Sequence, residues 1–132
     1  MSDENVEVVW RAIAAVNARD IDGYLSYCTD DVELHTPVEP IAGTYAGAED
    51  IKRFFADIED AGPDFRIDVH GLEAIAADRV LASLHITSTG RSSGVPMESR
   101  TTNIYDFTEG KIDCIRIFLD HGEALRAAGL EE

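Results

Sequence analysis

The run GKIDCIRIFLD, Gly110 to Asp120, constrains this chain more than any other stretch. It reads as a β-strand with apolar residues on both faces. Ile115, Ile117 and Leu119 alternate on one side, and Ile112, Cys114 and Phe118 on the other. The second side also carries Arg116 and, at its end, Asp120. A strand that is apolar on both faces is covered on both faces. An ionisable pair on such a strand either meets a partner or lines a cavity. The rest of the chain is expected to build that cavity.

The chain has 132 residues, enough for one domain with a real core, and a single domain over 1–132 is expected. Its 45% hydrophobic content excludes a disordered chain. A net charge of −15 argues against nucleic acid and anionic membranes as partners, since both call for a basic surface. Lys52 and Lys111 are the only lysines. A lysine-poor acidic surface fits a protein kept soluble in high salt, and it fits an ordinary acidic cytosolic protein equally well. No apolar run reaches membrane-spanning length and no basic, apolar-cored leader is visible, so a soluble, cytoplasmic protein is expected. Cys28 and Cys114 have no metal-type or CxxC spacing and read as reduced, small apolar residues.

Taken in order, Val6, Val9, Trp10, Ile13 and Val16 follow helical spacing after Ser2 or Asp3 as cap. Asp20 caps a short second helix with Ile21, Tyr24 and Leu25 inside. Asp30-Asp31 turns into a strand over Val32–Thr36, ended by Pro37 and Pro40, and Val38–Gly47 reads as a loop. A third helix places Ile51, Phe54, Phe55 and Ile58 on one face and stops at Gly62-Pro63. Strands then follow at Phe65–His70, with a bulge at Gly71, at Val80–Thr89, and at Met97–Phe107. Gly90–Pro96 reads as a loop, Glu109-Gly110 turns into the final strand, and Glu123–Ala128 forms a short helical tail. The order predicts an α+β fold in which helices cover one face of a curved, mostly antiparallel sheet. The other face is apolar too, which predicts a homodimer through the sheet.

Several segments together resemble one family. They are Asn17-Ala18-Arg19-Asp20, Asp31-Val32-Glu33-Leu34-His35-Thr36-Pro37, Gly43-Thr44-Tyr45-Ala46-Gly47 before Phe54-Phe55, and Gly90-Arg91-Ser92-Ser93-Gly94-Val95. Arg100 with Asn103, Gly110-Lys111-Ile112, Arg116-Ile117-Phe118-Leu119-Asp120 and Glu123-Ala124-Leu125 complete the set. In these the chain resembles the SnoaL-like, polyketide-cyclase-type branch of the NTF2-like superfamily over nearly its whole length. The resemblance implies a cone-shaped, strongly curved sheet wrapped around N-terminal helices, the cystatin-like α+β barrel, with a deep apolar pocket. It is specific for fold and not for activity, because this fold hosts cyclases, isomerases, epoxide hydrolases, dehydratases and plain binders. The cyclases place a late acidic residue as general acid/base, and Asp120 is the matching position. The ketosteroid isomerases place an aspartate before a proline at the end of the first strand. Thr36 stands there in this chain, which argues against steroid isomerisation.

Asp120 and Arg116 are four apart, so in a strand they share a face with Phe118 between them. Asp120 is read either as a proton carrier with its pKa raised by apolar surroundings or as half of an ion pair that orients a ligand. His35 is either a second proton carrier or a capping side chain, and alternation lets only one of His35 and Thr36 point inward. The same parity rule admits only one of Arg100 and Asn103. Arg116, Arg100 or Asn103 is expected to polarise a ligand carbonyl, and Arg100 is also a partner for Glu98 or Asp120. Trp10, Tyr45, Phe54 and Phe55 are candidate pocket walls or core. His85 is placed on the pocket or the dimer face, and His70 and His121 are placed at the periphery. No metal ligand set, phosphate loop or cysteine nucleophile is indicated, and no cofactor is expected. The expected function is a cofactor-free lyase or isomerase acting by acid/base chemistry on a small apolar or polycyclic carbonyl compound. The alternatives are a non-catalytic binder of a small hydrophobic ligand and a structural dimer domain. Polar groups converging in the cone favour an enzyme, an apolar lining a binder, and a filled cone the structural role.

Overall fold

The computed structural model describes residues 2–37, 43–89 and 96–129. The elements in order are helices α1 (Ser2–Asn17) and α2 (Ile21–Leu25), strands β1 (Cys28–Thr36) and β2 (Gly43–Ala46), and helix α3 (Gly47–Ala61). Strands β3 (Arg66–Ala76), β4 (Arg79–Thr89), β5 (Pro96–Thr108) and β6 (Lys111–Phe118) follow, then helix α4 (His121–Ala127). The strands form one six-stranded sheet in the order β2-β1-β6-β5-β4-β3. All pairings are antiparallel except β1 with β6. The α+β class and the helix-covered, mostly antiparallel sheet are as expected from the sequence.

Three differences matter. The Gly43–Ala46 stretch is a strand rather than loop. It is only four residues long and pairs with β1 from Glu33↔Ala46 to Thr36↔Gly43. Strand β1 begins at Cys28, and Asp30-Asp31 lies within it rather than in a turn, in the stretch where the register with β6 shifts. Trp10 is not part of the core: its side chain is 53% exposed. The buried face of α1 is Asn5, Val9, Ala12, Ile13 and Val16, and Trp10 sits one residue off that stripe. The predicted loop over residues 90–95 lies outside the described residues.

The bulge at Gly71 is present as a register shift between Val69 and Gly71. The Glu109-Gly110 turn has φ of 52° and 81°, the two positive values that a two-residue hairpin turn requires.

Helices α1 and α3 cover the inner face of the sheet. Val32, Leu34, Tyr45, Val80, Ala82, Leu84, Tyr105, Phe107, Ile112 and Ile115 join the helical residues there in one core. Strand β6 contributes Ile112 and Ile115 to that core, with Ile117 packed against it. The two deeper residues differ in parity because the β5–β6 register shifts between Asp106 and Phe107, so that Phe107 meets Ile112 and Asp106 meets Cys114.

Two side chains, one at the end of α1 and one in the turn after it, tie the helices to the edge strand β3. Asn17 Nδ2 donates to the Ile67 carbonyl at 2.8 Å, and its Oδ1 accepts from the Ile67 N–H at 2.8 Å. The carboxamide thus serves Ile67 as a neighbouring strand would. Arg19, at φ 64°, donates to the carbonyls of Pro63 (2.9 Å) and Phe65 (2.6 Å) and lies 3.9 Å over the Phe65 ring. Asn17→Ala leaves both Ile67 backbone groups without that partner. It is expected to cost about 2 kcal/mol in urea unfolding. A loss below about 0.5 kcal/mol would show that water replaces the carboxamide at no cost.

Candidate functional site

Register and burial decide what faces the inside of the cone. On β5 the inward positions are Thr101, Asn103, Tyr105 and Phe107, all buried, and their cross-strand partners on β4 are Leu84, Ala82 and Val80 for the first three. On the β6 side Asn103 pairs with Ile117 and Tyr105 with Ile115. Thr36, buried at the end of β1, points inward, and His35 points outward. The two parity questions are therefore answered: Thr36 and Asn103 face in, His35 and Arg100 face out.

Thr101, Asn103 and Tyr105 form a polar row in an apolar wall. Asn103 Nδ2 donates to the Tyr105 hydroxyl at 3.3 Å. Asn103 Oδ1 and Thr101 Oγ1 are buried and have no hydrogen-bond partner among the described residues. A hydroxyl and a carbonyl oxygen left unbonded two residues apart on one strand are unusual, because each costs about 1–3 kcal/mol of desolvation unless something bonds to it. Ala82, opposite Asn103, adds little bulk at that point. An aromatic cluster completes the interior, with Tyr45–Phe54, Phe54–Phe55 and Tyr24–Phe55 ring centroids 5.0, 5.0 and 5.1 Å apart. Tyr45 and Phe55 are thus core residues, as is Phe54.

The expected charged lining is not there. Among the described residues no Asp, Glu, Lys, Arg or His is buried. Arg116 and Phe118 lie on the outer face, opposite to the expectation, because β6 turns Ile115 and Ile117 to the helices. Arg116 instead reaches Asp106 at 3.3 Å, and Asp106 also accepts from Arg79 at 2.6 Å. Outside, this trio keeps partial contact with water; inside, it would bear the full cost of burying charge. Asp120 is exposed and caps α4: its Oδ1 accepts from the Gly122 N–H at 2.8 Å and the Glu123 N–H at 3.4 Å. It does not share an apolar face with Arg116. His35 contacts Thr44 at 3.0 Å and Glu33 at 3.2 Å. Arg100 is exposed and pairs with neither Glu98 nor Asp120. Glu98 meets His85 at 3.2 Å. The Thr101–Asn103–Tyr105 row was only partly legible beforehand: Asn103 was singled out, whereas Thr101 and Tyr105 carried no signal beyond their shared parity with it.

Burial pushes the Tyr105 phenol up to about 12, against the pull of its Asn103 hydrogen bond. Tyr105 therefore stays neutral and keeps a proton to donate. Burial likewise pushes the Cys28 thiol up to about 12, with Lys111 opposing, and raises Tyr24 well above its ordinary value. A cavity of about 350 Å³ lies between α2, α3 and the residue before β3, and its charged groups are matched to one another, Arg19 with Glu59 and Lys52 with Asp22.

Two tests follow from these placements. Cys28 and Tyr105 have folded pKa values above their ordinary 9.0 and 10.0, so the unfolded chain loses these protons first as pH rises. Their contribution is complete below about pH 9 and is lost toward pH 12, by up to about 1.4 kcal/mol per pH unit for each group. Urea midpoints should fall from near pH 9, and Cys28→Ala should make the fall between pH 9 and 10 shallower, leaving the part contributed by Cys114, whose thiol burial also raises. A flat profile to pH 11 contradicts the assignment. As a cap, Asp120→Ala should cost about 1 kcal/mol and Asp120→Asn much less. Equal losses by urea titration would mean that the charge, not the cap bond, is what counts.

A family model described as a SnoaL-like domain matches residues 9–115. No curated protein matches the chain. A cystatin-fold protein from Novosphingobium aromaticivorans is similar in structure, with a TM-score of 0.74 and 24% identity over 86% of this chain and 97% of that one. A protein from Jannaschia sp. CCS1 assigned as a SnoaL-like polyketide cyclase has a TM-score of 0.76 and 17% identity, covering 98% and 94%. TerC, co-crystallised with polyporic acid, has a TM-score of 0.79 and 22% identity, covering 93% and 96%. Identities this low speak to the fold, and the family rests on the model matched across the helices, the sheet and the polar row. The chain belongs to the SnoaL-like domain family, on an NTF2-like, cystatin-type fold.

Proposed function

We propose that this protein holds a small, largely apolar molecule in the cone and reads it through neutral hydrogen bonds. The observation that carries this is a pair of buried polar groups without a partner among the described residues, the Thr101 hydroxyl and the Asn103 carbonyl oxygen. A ligand hydroxyl fits between them, donating to Asn103 Oδ1 and accepting from the Thr101 hydroxyl. The Tyr105 proton, strengthened by the bond its oxygen receives from Asn103, fits a neighbouring carbonyl. The molecule is then a hydroxy-carbonyl or enol compound with an apolar body. Any chemistry there is cofactor-free polarisation of the carbonyl by Tyr105. The family's small-molecule-pocket fold supports the reading, and TerC, similar in structure, has been co-crystallised with polyporic acid.

The test uses 2-naphthol and 2-methoxynaphthalene as fluorescent probes differing in one donor. Binding of 2-naphthol should be about tenfold tighter, equivalent to roughly 1.4 kcal/mol. Asn103→Leu should abolish the preference without lowering Tm by more than a few degrees. Equal affinities in the wild type would overturn the reading.

A second reading is the cofactor-free lyase or isomerase with Asp120 as proton carrier, without His35, which faces out. It draws on the similarity to the Jannaschia protein assigned as a polyketide cyclase. It requires Asp120 to leave its α4 cap during turnover. Asp120→Asn keeps the cap and removes the acid. Loss of turnover on a β-hydroxy-ketone in that variant would favour this reading, and unchanged turnover would dismiss it.

A further inference from the structure

The outer face carries a cleft that the cone does not explain. It has a volume of about 210 Å³ and lies over β3, β4 and β5, closed by the residues that follow β6. His70, His85, Arg100, Thr102, Leu119 and His121 line it. Three of the four histidines in the chain and one arginine thus gather in one place, in a protein of net charge −15.

Arg100 is the odd member of its class. Acids outnumber lysine and arginine by 26 to 11. Among the described residues Arg11, Arg19, Arg53, Arg66, Arg79 and Arg116 each meet a carboxylate, and Arg126 also has a partner. Arg100 alone has none among the described residues. The carboxylates nearest the cleft are already engaged: Glu98 with His85 at 3.2 Å, Asp68 with Arg66 at 3.1 Å, and Asp120 with the α4 backbone. Asp68 lies directly across from His85, and Arg100 lies across from it on the other side.

The rings are held with nitrogens to spare. His121 uses Nδ1 on the Thr102 hydroxyl at 2.9 Å, which leaves Nε2. His85 uses Nε2 on Glu98, which leaves Nδ1. The His70 ring packs edge-on against His85 with centroids 5.5 Å apart. Leu119, 54% exposed, supplies an apolar wall beside these rings.

We propose that this cleft binds the carboxylate of a small organic acid. Arg100 is its cation, His121 offers its Nε2–H to its oxygens, His85 stands beside them with its own N–H spent on Glu98, and Leu119 covers its apolar body. An arginine without a partner supplies planar, paired donors for a carboxylate. The exposed leucine next to it favours an organic acid over inorganic phosphate.

The experiment is a titration of the histidine ring signals by ¹H–¹³C NMR with sodium benzoate, sodium phosphate and sodium chloride at matched ionic strength. Benzoate should move His85 and His121 saturably and at lower concentration than phosphate, and chloride should move neither in that way. Arg100→Gln, an exposed substitution that leaves Tm unchanged, should weaken benzoate at least tenfold, with Arg100→Lys in between. An equal response to chloride, or an unchanged benzoate affinity in Arg100→Gln, overturns the site. Phosphate binding as tightly as benzoate overturns its assignment to an organic acid. Benzoate binding that is retained in Asn103→Leu separates this cleft from the cone.

Discussion

The structure turns on which face of β6 meets the helices. This strand lies between β1 and β5, so its facing is passed by register to every other strand. Both faces are apolar, and the difference is one guanidinium. Turning Ile112, Ile115 and Ile117 inward buries three branched side chains, each worth about 2 kcal/mol, and leaves Arg116 at the surface with Asp106 and Arg79. The reverse choice would bury Arg116 and expose the isoleucines, and desolvating the charge alone costs several kcal/mol. With β6 fixed, Thr101, Asn103 and Tyr105 fall inside and Arg100, Thr102 and Asp106 outside. The chemical character of the two faces follows from that one decision.

The helices must then be held against a sheet whose last strand, β3, is an edge. An edge strand offers unpaired N–H and C=O groups, and a folded chain has to satisfy or shield them. Here a single carboxamide, Asn17, does this for Ile67, and the Arg19 guanidinium takes the carbonyls just before it. Asn17 is the last residue of α1 and Arg19 lies in the turn that follows it. The helical layer is thus joined to the sheet by directed bonds as well as by apolar contact. Directed bonds set the angle of approach, which contact area alone leaves loose.

What was legible in the sequence follows from the range of each interaction. Periodicity located α1, α3 and the long strands because it is local. Capping residues located α2, and the Gly71 bulge and the Glu109-Gly110 turn were readable from glycine placement. Strand β2 was missed because four residues hold too little alternation and its stability comes from pairing with β1. The inner and outer sets on β6 were readable as sets. Which one was inner depended on Asp106, ten residues earlier and on another strand. Asp120 was read as the end of a strand face, whereas α4 begins one residue later and claims its carboxylate as a cap. The polar row was half legible, since Asn103 is conspicuous and Thr101 and Tyr105 look like ordinary strand residues.

The distribution of charge separates the two sites physically. Among the described residues the cone interior holds neutral polar groups only, and its deepest acids, Tyr24, Cys28 and Tyr105, are kept protonated by burial. Hydrogen bonds there act in a low dielectric, where they are strong and barely screened, and they discriminate by the match of donor to acceptor. The outer cleft is the reverse case. Arg100 is solvated and acts through a charge that salt screens within about 10 Å at 0.1 M. A chain of net charge −15 repels anions at long range, so an acid that reaches Arg100 must be held by short-range geometry rather than drawn in by the field of the whole protein. That is why the fork of one unpaired arginine, flanked by ring nitrogens, matters more at this site than the number of positive charges around it.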